Sequence, residues 1–405
     1  MVRAGAGTNQ EAVRRHNLGT VLAHVHRAGR ISRAELTSAM GLNRSTIGGL
    51  VAELEVLGLT EQAAPTGART GAGRPSPDVV PATDGAYVLA VDIGVAGLAV
   101  ARVGLAGRVL SRATASIPTS RTPESTCEAV VELLRLVVRE SPSGSPLVGL
   151  GISVPGLVRS ADHLVRLAPN LGWVDVPIGT ILAGRLGLDV DVTVGNDADL
   201  GALAEHLRGA GTDDADLIYL SGEVGVGAGL VVDGRPVGGG GGYAGEIGHL
   251  QMDPAGRLCH CGNRGCWETQ VGAPAIAEAI GCPDDRVAAL GEVLDTQQDA
   301  GDALRAVGRD LGAGIASAVN LLNPQVVVLG GYFRSLYPLV RAEVDETVRS
   351  RALVAPNEHV RLALPSLGAD SVLVGAAEVA FAGLLADPVA GLARSLRDVE
   401  AALVA

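Results

Sequence analysis

The sequence has no lysine, so its 32 basic residues are all arginines, and aromatic residues make up only 2% of the chain. No apolar run is long enough to span a membrane, and the first residues lack the continuous apolar stretch of a secretory signal. These absences argue against a membrane partner and predict a cytoplasmic protein, in which thiols stay reduced and can bind metal. With 405 residues, 47% of them hydrophobic and 19% charged, the composition is typical of a soluble globular protein of two or three domains.

The net charge of −12 is distributed unevenly along the chain. Residues 1–80 carry nine arginines and six acidic residues, which gives +3, and so residues 81–405 carry −15. Phosphate groups attract positively charged surfaces. Only the N-terminal part is therefore expected to contact nucleic acid.

Three of the five cysteines lie within eight residues of one another, in a polar and glycine-rich segment. With an upstream histidine they have the spacing H-x9-C-x-C-x4-C, formed by His249, Cys259, Cys261 and Cys266. Three thiols and one imidazole make a closed set of four ligands, typical of structural zinc, and no open position for catalysis is evident. The alternative is that the thiols are simply buried, small and apolar, as is expected for the isolated Cys127 and Cys282.

A second histidine, His260, lies between two of the cysteines and could replace His249 as the fourth ligand. We favour His249 because it stands beside Glu246. Glu268 follows the last cysteine by two residues, so a metal would hold two carboxylates of this loop in place, and paired carboxylates of this kind bind the hydroxyl groups of a polyol. The five glycines at 238–242 could act as a hinge or form a plain surface loop.

The N-terminal part has the pattern of three short helices. Leucine and valine recur at helical spacing before Gly29, and residues 32–35, SRAE, form a capping box for a second helix that Gly41 closes. A third helix is predicted to begin at Asn43, with a polar face at Arg44, Ser45, Thr46 and Gly48. This pattern predicts a helix-turn-helix whose second helix enters a major groove of DNA, the alternative being a generic three-helix scaffold.

Residues 59–81 predict a two-stranded wing, with a short apolar start, a loop rich in glycine, proline and alanine, and a second apolar pair. Arg69 and Arg74 lie in that loop, where they would reach phosphates or a narrow minor groove. The same loop could instead be a flexible linker.

After Pro81 the pattern changes to alternating buried strands and helices. Residues 86–94 form an apolar strand that ends in Asp-x-Gly, and further strands follow as far as the segment NPQVVVLGG at 323–331, before a terminal helical region. This pattern predicts an α/β chain of mixed sheets covered by helices, with two lobes around a cleft.

The order of these motifs resembles that of the ROK-family transcriptional regulators, repressors related to bacterial sugar kinases. The resemblance covers nearly the whole chain. Its matching segments are residues 92–94, 169–171, 196–198, 221–229 and 246–249, the cysteine cluster with 267–268, and 323–324 followed by 330–331.

The resemblance implies a winged helix-turn-helix at residues 1–80, a linker at 81–85, and a two-lobed, actin-like ATPase fold with lobes at 86–198 and 199–405. The second lobe would contain the zinc loop, and the C-terminal helix could pack back on the first lobe. A sugar or sugar phosphate would bind between the lobes, and His249 would be shared between it and zinc. The implied sugar contacts are Asn170, Asn196, Asp197, Glu246, His249 and Glu268. Asn196 and Asp197 could instead simply cap a helix.

An ATP-dependent sugar kinase with an added DNA-binding domain is the main alternative. ROK kinases use the aspartate matched by Asp197 as a general base and bind ATP phosphates on two glycine-rich turns. The second turn is retained, but the first has Val95 and Ala96 where the kinases have Gly-Thr, and Glu223 adds a negative charge to the second. We therefore expect no catalytic residue and no useful ATP binding, with Asp197 as a sugar ligand.

These features predict a sugar-responsive repressor of carbohydrate-metabolism genes that binds operator DNA as a homodimer or a dimer of dimers. In this hypothesis the sugar closes the cleft, the wings move relative to each other, and the affinity for the operator changes. A third possibility is a sugar-binding protein whose winged helix has lost its affinity for DNA.

Overall fold

The computed structural model describes residues 9–65, 77–139, 144–187 and 190–395. Its first part is a winged helix made of α1 (Gln10–Ala28), β1 (Ile31–Ser32), α2 (Arg33–Met40), α3 (Arg44–Val56), β2 (Thr60–Ala63) and β3 (Asp78–Pro81). The three strands form an antiparallel sheet in the order β1-β3-β2, which confirms the two-stranded wing and adds a strand that was not predicted. Arg69 and Arg74, in the loop between β2 and β3, lie outside the described residues.

The predicted helix ends are confirmed by their hydrogen bonds. The Ser32 hydroxyl accepts the amide hydrogen of Glu35 at 3.2 Å, and the Glu35 carboxylate accepts that of Ser32 at 2.8 Å, so the capping box is complete. The Asn43 side chain caps α3 by accepting from the amide of Thr46 at 2.9 Å. Gly41 ends α2 with a φ of 65°, a conformation that glycine adopts without strain.

The first lobe has a five-stranded mixed sheet and a small three-stranded one. Its elements are β4 (Tyr87–Ile93), β5 (Gly97–Gly104), β6 (Arg108–Ser116), α4 (Pro123–Val138), β7 (Leu147–Val154), β8 (Leu157–Val158), β9 (Val165–Ala168), β10 (Trp173–Val176), α5 (Ile178–Leu186) and β11 (Val192–Asn196). The large sheet has the order β11-β7-β4-β5-β6, in which β7 runs parallel to both of its neighbours. The helix α4 covers one face of this sheet.

The second lobe repeats this layout around another five-stranded sheet, ordered β14-β13-β12-β15-β16. Its elements are α6 (Asp197–Arg208), β12 (Leu217–Gly222), β13 (Val226–Val232), β14 (Arg235–Pro236), α7 (Glu268–Val271), α8 (Ala273–Ile280), α9 (Leu290–Asp295), α10 (Asp302–Leu322), β15 (Val326–Gly331), α11 (Phe333–Arg351), α12 (Val354–His359), β16 (Arg361–Ala363), α13 (Ser371–Ala380), α14 (Ala382–Ala386) and α15 (Pro388–Ala393). Among the described helices, none is both long and apolar enough to cross a membrane.

Two helices connect the sheets of the lobes. The expected lobe boundary at residue 198 falls in the first turn of α6, which packs on β12 and β13 of the second sheet. Helix α13 packs on α6 and also on β4 and β7 of the first sheet. The pair α6 and α13 therefore forms a shared layer.

The winged helix is docked on the rest of the chain. One apolar cluster joins side chains of α1 and α3 to those of α13 and α14. Gly19 of α1 approaches α14 so closely that a Cβ would lie 2.5 Å from the Leu385 carbonyl oxygen. The segment 81–85, expected to be a linker, is held to the first lobe by a hydrogen bond of 2.9 Å from the Ser145 hydroxyl to the Asp84 carbonyl. The winged helix is therefore packed against the rest of the chain in a fixed position.

Two helical glycines test the contact between α6 and α13. A Cβ on Gly375 of α13 would lie 2.0 Å from the Leu200 carbonyl oxygen of α6, whereas Gly184 of α5 has no atom within 4 Å of such a Cβ. We expect Gly375→Ala to lower the free energy of unfolding by about 1–3 kcal/mol, because the helices must separate. Gly184→Ala should leave it unchanged or raise it by up to about 1 kcal/mol, because alanine is the better helix former.

Urea titration followed by circular dichroism measures both variants. Equal stability of the Gly375→Ala and Gly184→Ala variants would contradict the close packing of α6 on α13.

Candidate functional site

The four side chains of the predicted metal site lie together. The sulfur atoms of Cys261 and Cys266 are 3.7 Å apart, and Cys259 Sγ lies 3.7 Å from His249 Nδ1. One ligand atom of each residue lies within 4.8 Å of the other three. A tetrahedral site with metal–sulfur bonds of about 2.3 Å has edges of about 3.8 Å. The donor atoms and their spacing therefore fit a tetrahedral metal ion.

The second histidine takes a different position. His260 Nδ1 lies 3.8 Å from Cys259 Sγ but only 3.0 Å from Glu268 Oε1. It groups with these two residues and not with the other thiols. The distances thus favour His249 as the partner of the three cysteines.

Two glycines allow the loop that carries Glu246 and His249 to lie close against strand β13. A Cβ on Gly245 or on Gly248 would lie 1.8 Å or 2.2 Å from a carbonyl oxygen of that strand, so no larger residue fits at either position. Glu246 stands between them on a fixed backbone. Its Oε2 lies 3.9 Å from His249 Nε2, the ring nitrogen that is not directed at the thiols. His249 therefore faces the three thiols of the predicted metal site with Nδ1 and faces Glu246 with Nε2.

The second glycine-rich turn is shaped by contacts within the protein. Glu268 Oε2 accepts the amide hydrogen of Val226 at 3.1 Å, and a Cβ on Gly225 would lie 2.1 Å from this oxygen. A Cβ on Gly229 would lie 2.1 Å from the Ala198 carbonyl oxygen of α6. Gly229, which stands in strand β13 just after the turn, is thus required by its packing on α6, and Gly225 lies against the carboxylate of Glu268.

The residues Asn196 and Asp197 stand where β11 ends and α6 begins. Asn196 Oδ1 accepts the amide hydrogens of Ala198 and Asp199 at 2.9 and 3.2 Å, and its Nδ2 donates to the Gly156 carbonyl at 2.9 Å. Asp197 Oδ1 accepts from the amide of Ala198 at 2.9 Å. The capping role that the sequence left open for Asn196 is therefore present.

Two cavities flank the turn at residues 223–225. One, of about 270 Å³, is lined by Asn170, Glu268, His260 and Cys259, among others. The other, of about 280 Å³, is lined by Asp92, Val95, Asp197 and Glu223, among others. The charge of Glu246 acts on both Asp197 and Asp199, and the charge of Glu268 acts on Glu246. The structure thus brings Glu246, His249 and Glu268 together, and it places Asn170 and Asp197 in neighbouring cavities.

The glycine run at 238–242 crosses to the first lobe. The Gly241 carbonyl accepts from the amide of Ser160 at 3.2 Å, and a Cβ on Gly242 would lie 2.9 Å from the same nitrogen. The run therefore links the lobes on one side of the cleft, and its role as a hinge stays a prediction.

The cleft holds more acidic groups than the sequence predicted. Burial raises the pKa of Asp92 to about 6 and that of Asp197 to about 7, and the charges of Asp92 and Glu246 add to the shift of Asp197. Burial and the neighbouring Asp197 raise the pKa of Asp199 to about 7. Glu223 has an exposed side chain, yet the cleft walls desolvate it and raise its pKa to about 8. Asp199 was missed, although its place two residues after Asp197 could have indicated it.

The first glycine-rich turn carries a buried, branched side chain. The Gly94 amide donates to the Gly97 carbonyl at 2.9 Å and closes the turn. Val95 is only 5% exposed, while Ala96 is exposed. Both residues line the cavity that contains Asp197.

The predicted DNA-contacting residues of α3 lie on the surface of the winged helix. Arg44, Ser45 and Thr46 are exposed in its first turn, and the Ser45 hydroxyl donates to Asn43 Oδ1 at 2.7 Å. A Cβ on Gly48 would have no atom within 4 Å. This face of α3 is therefore flat and polar.

The raised pKa values predict a pH-dependent stability. A carboxyl group whose pKa is raised by folding holds its proton more tightly in the folded state, so stability falls as the pH rises from the unfolded to the folded pKa. For Asp197 this window runs from 3.8 to about 7. We expect the free energy of unfolding to decrease across it, and Asp197→Asn to make the decrease smaller.

Urea titrations at a series of pH values measure this effect. Asp295→Asn, a substitution at an exposed site on α9, serves as the control and should keep the full decrease. Identical pH profiles for the two variants would show that Asp197 is not desolvated.

Known proteins resemble this chain over most of its length. The ROK family model matches residues 88–382. A xylose repressor of Bacillus spizizenii is 28% identical over 92% of this chain and 96% of its own. A glucokinase of Streptomyces coelicolor is 30% identical over 72% of this chain and 96% of its own.

A solved structure extends the match to the winged helix. The crystal structure of a ROK family transcriptional regulator, a homologue of the Escherichia coli Mlc protein, matches with a TM-score of 0.73 and 25% identity over 97% of this chain and 99% of its own. The two-lobed fold and the family inferred from the motifs are thereby confirmed. The chain belongs to the ROK family.

Proposed function

We propose that this protein is a DNA-binding transcriptional regulator, a repressor of carbohydrate-metabolism genes whose effector is a sugar or sugar phosphate. The observation that carries the proposal is the extent of the similarity: the two regulators match 92% and 97% of the chain, and the glucokinase matches 72%. The family model begins only at residue 88, after a complete winged helix. A domain of that kind serves DNA recognition, and two of them in a homodimer or dimer of dimers would match paired half-sites.

In this proposal α3 lies in the major groove. Arg44 at its N-terminal end can donate two hydrogen bonds to a guanine, and Ser45 and Thr46 can contact neighbouring bases or phosphates. Arg69 and Arg74 would contact the sugar–phosphate backbone or the minor groove. Gly48 costs helix stability of about 1 kcal/mol relative to alanine, and a Cβ there would meet no atom of the described residues within 4 Å, which supports a role in close approach to DNA.

The DNA proposal predicts opposite effects on stability and binding. Arg44→Ala should weaken binding to a duplex selected from a random pool by about 1–3 kcal/mol, because one base contact is lost. Gly48→Ala should stabilise the isolated protein and weaken DNA binding, because a methyl group then lies between helix and groove. Fluorescence anisotropy measures the affinities at fixed salt.

Arg349→Ala removes an exposed arginine of α11 and should leave DNA binding unchanged. Wild-type affinity in the Arg44→Ala variant would contradict the placement of Arg44 in the major groove. No DNA binding by any form would favour the third possibility, a sugar-binding protein without DNA affinity.

The effector would bind in the cleft against the six residues implied by the family. Asp197, Glu246 and Glu268 offer carboxylate oxygens, and His249 offers Nε2. Asn170 lies in the adjoining cavity. Asn196 Nδ2 donates one of its two hydrogens to the Gly156 carbonyl and would donate the other to the effector. A ligand with many hydroxyl groups suits this set, because each buried polar group needs a partner.

We further propose that His249, Cys259, Cys261 and Cys266 hold a structural zinc ion. The edges of 3.7 Å fit a tetrahedron, and three thiols with one imidazole are a preferred donor set for zinc. When bound, the ion would fix the loop that carries Glu246 and Glu268. His249 would bind it through Nδ1, which leaves Nε2 for the effector.

One zinc ion per chain is the expected metal content. Cys261→Ser should lose the ion and the effector-induced thermal shift, because the loop is no longer fixed. Cys282→Ser, at a cysteine outside the cluster, should keep both. Atomic absorption of the purified variants measures the content. Loss of zinc in His260→Ala together with retention in His249→Ala would reverse the assignment of the fourth ligand.

Sugar kinase activity is the second candidate, favoured by one observation. The pKa of Asp197, raised to about 7 chiefly by burial, suits a general base at neutral pH. Against it stand the buried side chain of Val95 in the first turn and the carboxyl group of Glu223 in the second. We therefore propose that the cleft binds its sugar without transferring phosphate.

A thermal-shift screen of the zinc-loaded protein tests the proposal. The panel contains sugars, sugar phosphates and ATP, because a ligand at 100 times its Kd stabilises the folded state by about 2.7 kcal/mol. A shift with a sugar or sugar phosphate and none with ATP, absent in Asp197→Asn, is the expected result. A shift with ATP, followed by ATP turnover in the presence of the sugar, would establish the kinase instead.

A further inference from the structure

Three polar side chains, two of them buried and one partly buried, meet where the winged helix contacts the ROK fold. They are His26 of α1, Arg208 at the end of α6, and Glu378 of α13. His26 and Glu378 are 3% and 5% exposed, and His26 Nε2 lies 2.8 Å from Glu378 Oε2. Arg208 Nε donates to the other oxygen of Glu378, and its NH1 donates to the backbone carbonyl of His26 at 3.1 Å. The cluster thus joins one residue of the DNA-binding domain to two of the effector domain.

Hydrogen bonds join the three side chains of this cluster. The amide of Ala106 donates to His26 Nδ1 at 3.0 Å, which leaves Nε2 to face Glu378 and Arg208. Burial acts to raise the pKa of Glu378, but the contacts with His26 and Arg208 outweigh it, and the pKa is lowered. The imidazole therefore packs against the ion pair of Glu378 and Arg208.

Both helices that carry this ion pair begin at the cleft. Asp197, a proposed effector ligand, is the first residue of α6, and Arg208 is the last of its 12 residues, about 18 Å along the axis. Helix α13 begins beside Val372, which lines the same cavity as Asp197, and continues to Glu378. Each helix thus spans the distance from the effector cleft to the winged helix.

The two helices are also locked to each other. Glu205 of α6 is fully buried, and its carboxylate accepts from the backbone amides of Ser366 and Leu367 at 3.0 and 3.1 Å. It also accepts from the hydroxyl of Ser371, the first residue of α13, at 2.7 Å. With Gly375 in contact with α6, neither helix can shift without the other. A displacement at Asp197 therefore reaches Arg208 and Glu378 together.

Most other contacts of helix α1 at this junction are apolar, with the addition of one ion pair between Arg15 and Asp387. Helix α1 packs on α14 and α15 through apolar side chains, and apolar contacts have no preferred direction. Hydrogen bonds to a buried carboxylate do have one, and they are lost when a donor moves by about an ångström. The cluster can therefore set the orientation of the winged helix. The apolar contacts keep the winged helix attached but do not select one orientation.

We propose that α6 and α13 act as one rod that carries the state of the effector cleft to the DNA-binding domain, through the contact of Arg208 and Glu378 with His26. This inference rests on the proposed function, and it assigns positioning roles to three residues far from both ligands. Effector binding at Asp197 shifts the rod, the cluster reorients α1, and α3 moves relative to its half-site.

A double-substitution cycle tests the rod without knowledge of the effector. The variants are Asp197→Asn, His26→Gln and their combination, and the measured quantity is the Kd for a duplex selected with the unsubstituted protein. Substitutions this far apart normally act independently, within about a factor of two. A coupled rod predicts that the effect of the double variant departs from the product of the single effects by at least about fivefold.

Arg15→Gln is the matched control. Arg15 also lies on α1 and pairs with Asp387 across the same junction, at 3.3 Å, and within the described part of the chain its hydrogen bonds go to Glu11 and Asp387 and not to α6 or α13. When Arg15→Gln is combined with Asp197→Asn, the change in the Kd for DNA should equal the product of the changes caused by the two single substitutions. Glu378→Gln, which keeps the size of the side chain, replaces His26→Gln if that variant fails to fold, and it should show the same coupling.

The sugar that gives the largest thermal shift provides a second readout. In His26→Gln the sugar should still bind with its wild-type Kd, while the ratio of DNA Kd values with and without sugar falls at least about fivefold towards one. The proposed coupling through α6 and α13 is wrong if the effects of Asp197→Asn and His26→Gln on the Kd for DNA simply multiply. It is also wrong if the ratio of DNA Kd values with and without sugar is unchanged in His26→Gln. Either result leaves the proposed function standing. Absence of DNA binding by the unsubstituted protein overturns both.

Discussion

The close approach of the loop at 245–268 to strand β13 is the constraint on which the cleft depends. Gly245 and Gly248 lie so near that strand that a side chain at either position would collide with a carbonyl oxygen. This close approach places Glu246 and His249 at the cleft. The loop then turns at its three cysteines and returns Glu268 to the same region, where its carboxylate accepts a hydrogen bond from Val226 at the start of β13. Three proposed effector ligands thus derive their positions from one backbone contact and one cluster of thiols.

In the proposed function, the packing around the two turns distinguishes a regulator from a kinase with a similar fold. Glycines near a phosphate-binding turn are usually explained by the ligand, but Gly229 is required by α6 and Gly225 lies against Glu268. Val95 of the other turn is buried and lines the cavity that contains Asp197. An acidic cleft remains, in which burial and mutual repulsion keep protons on carboxyl groups near neutral pH. Such a site can both donate and accept hydrogen bonds, as a polyhydroxylated ligand requires.

Features that depend on neighbouring residues were readable from the sequence. The capping box at Ser32, the start of α3 at Asn43 and the wing strands follow from local patterns, and the order of motifs identified the family. The contact of His26 with Glu378 joins residues 352 positions apart and has no local pattern. Nor does a sequence reveal desolvation, so the raised pKa values of Asp199 and Glu223 were not predicted. Long-range packing decides both.

In the proposed mechanism, sugar binding in the cleft and DNA binding by the winged helix are coupled. Calorimetric titration of the sugar tests this coupling most directly. The sugar is titrated into the free protein and into the protein saturated with its selected duplex. Coupling is reciprocal, so the account predicts two sugar Kd values that differ at least about fivefold, by the same factor by which sugar changes the Kd for DNA. Equal sugar Kd values in the two titrations would contradict it.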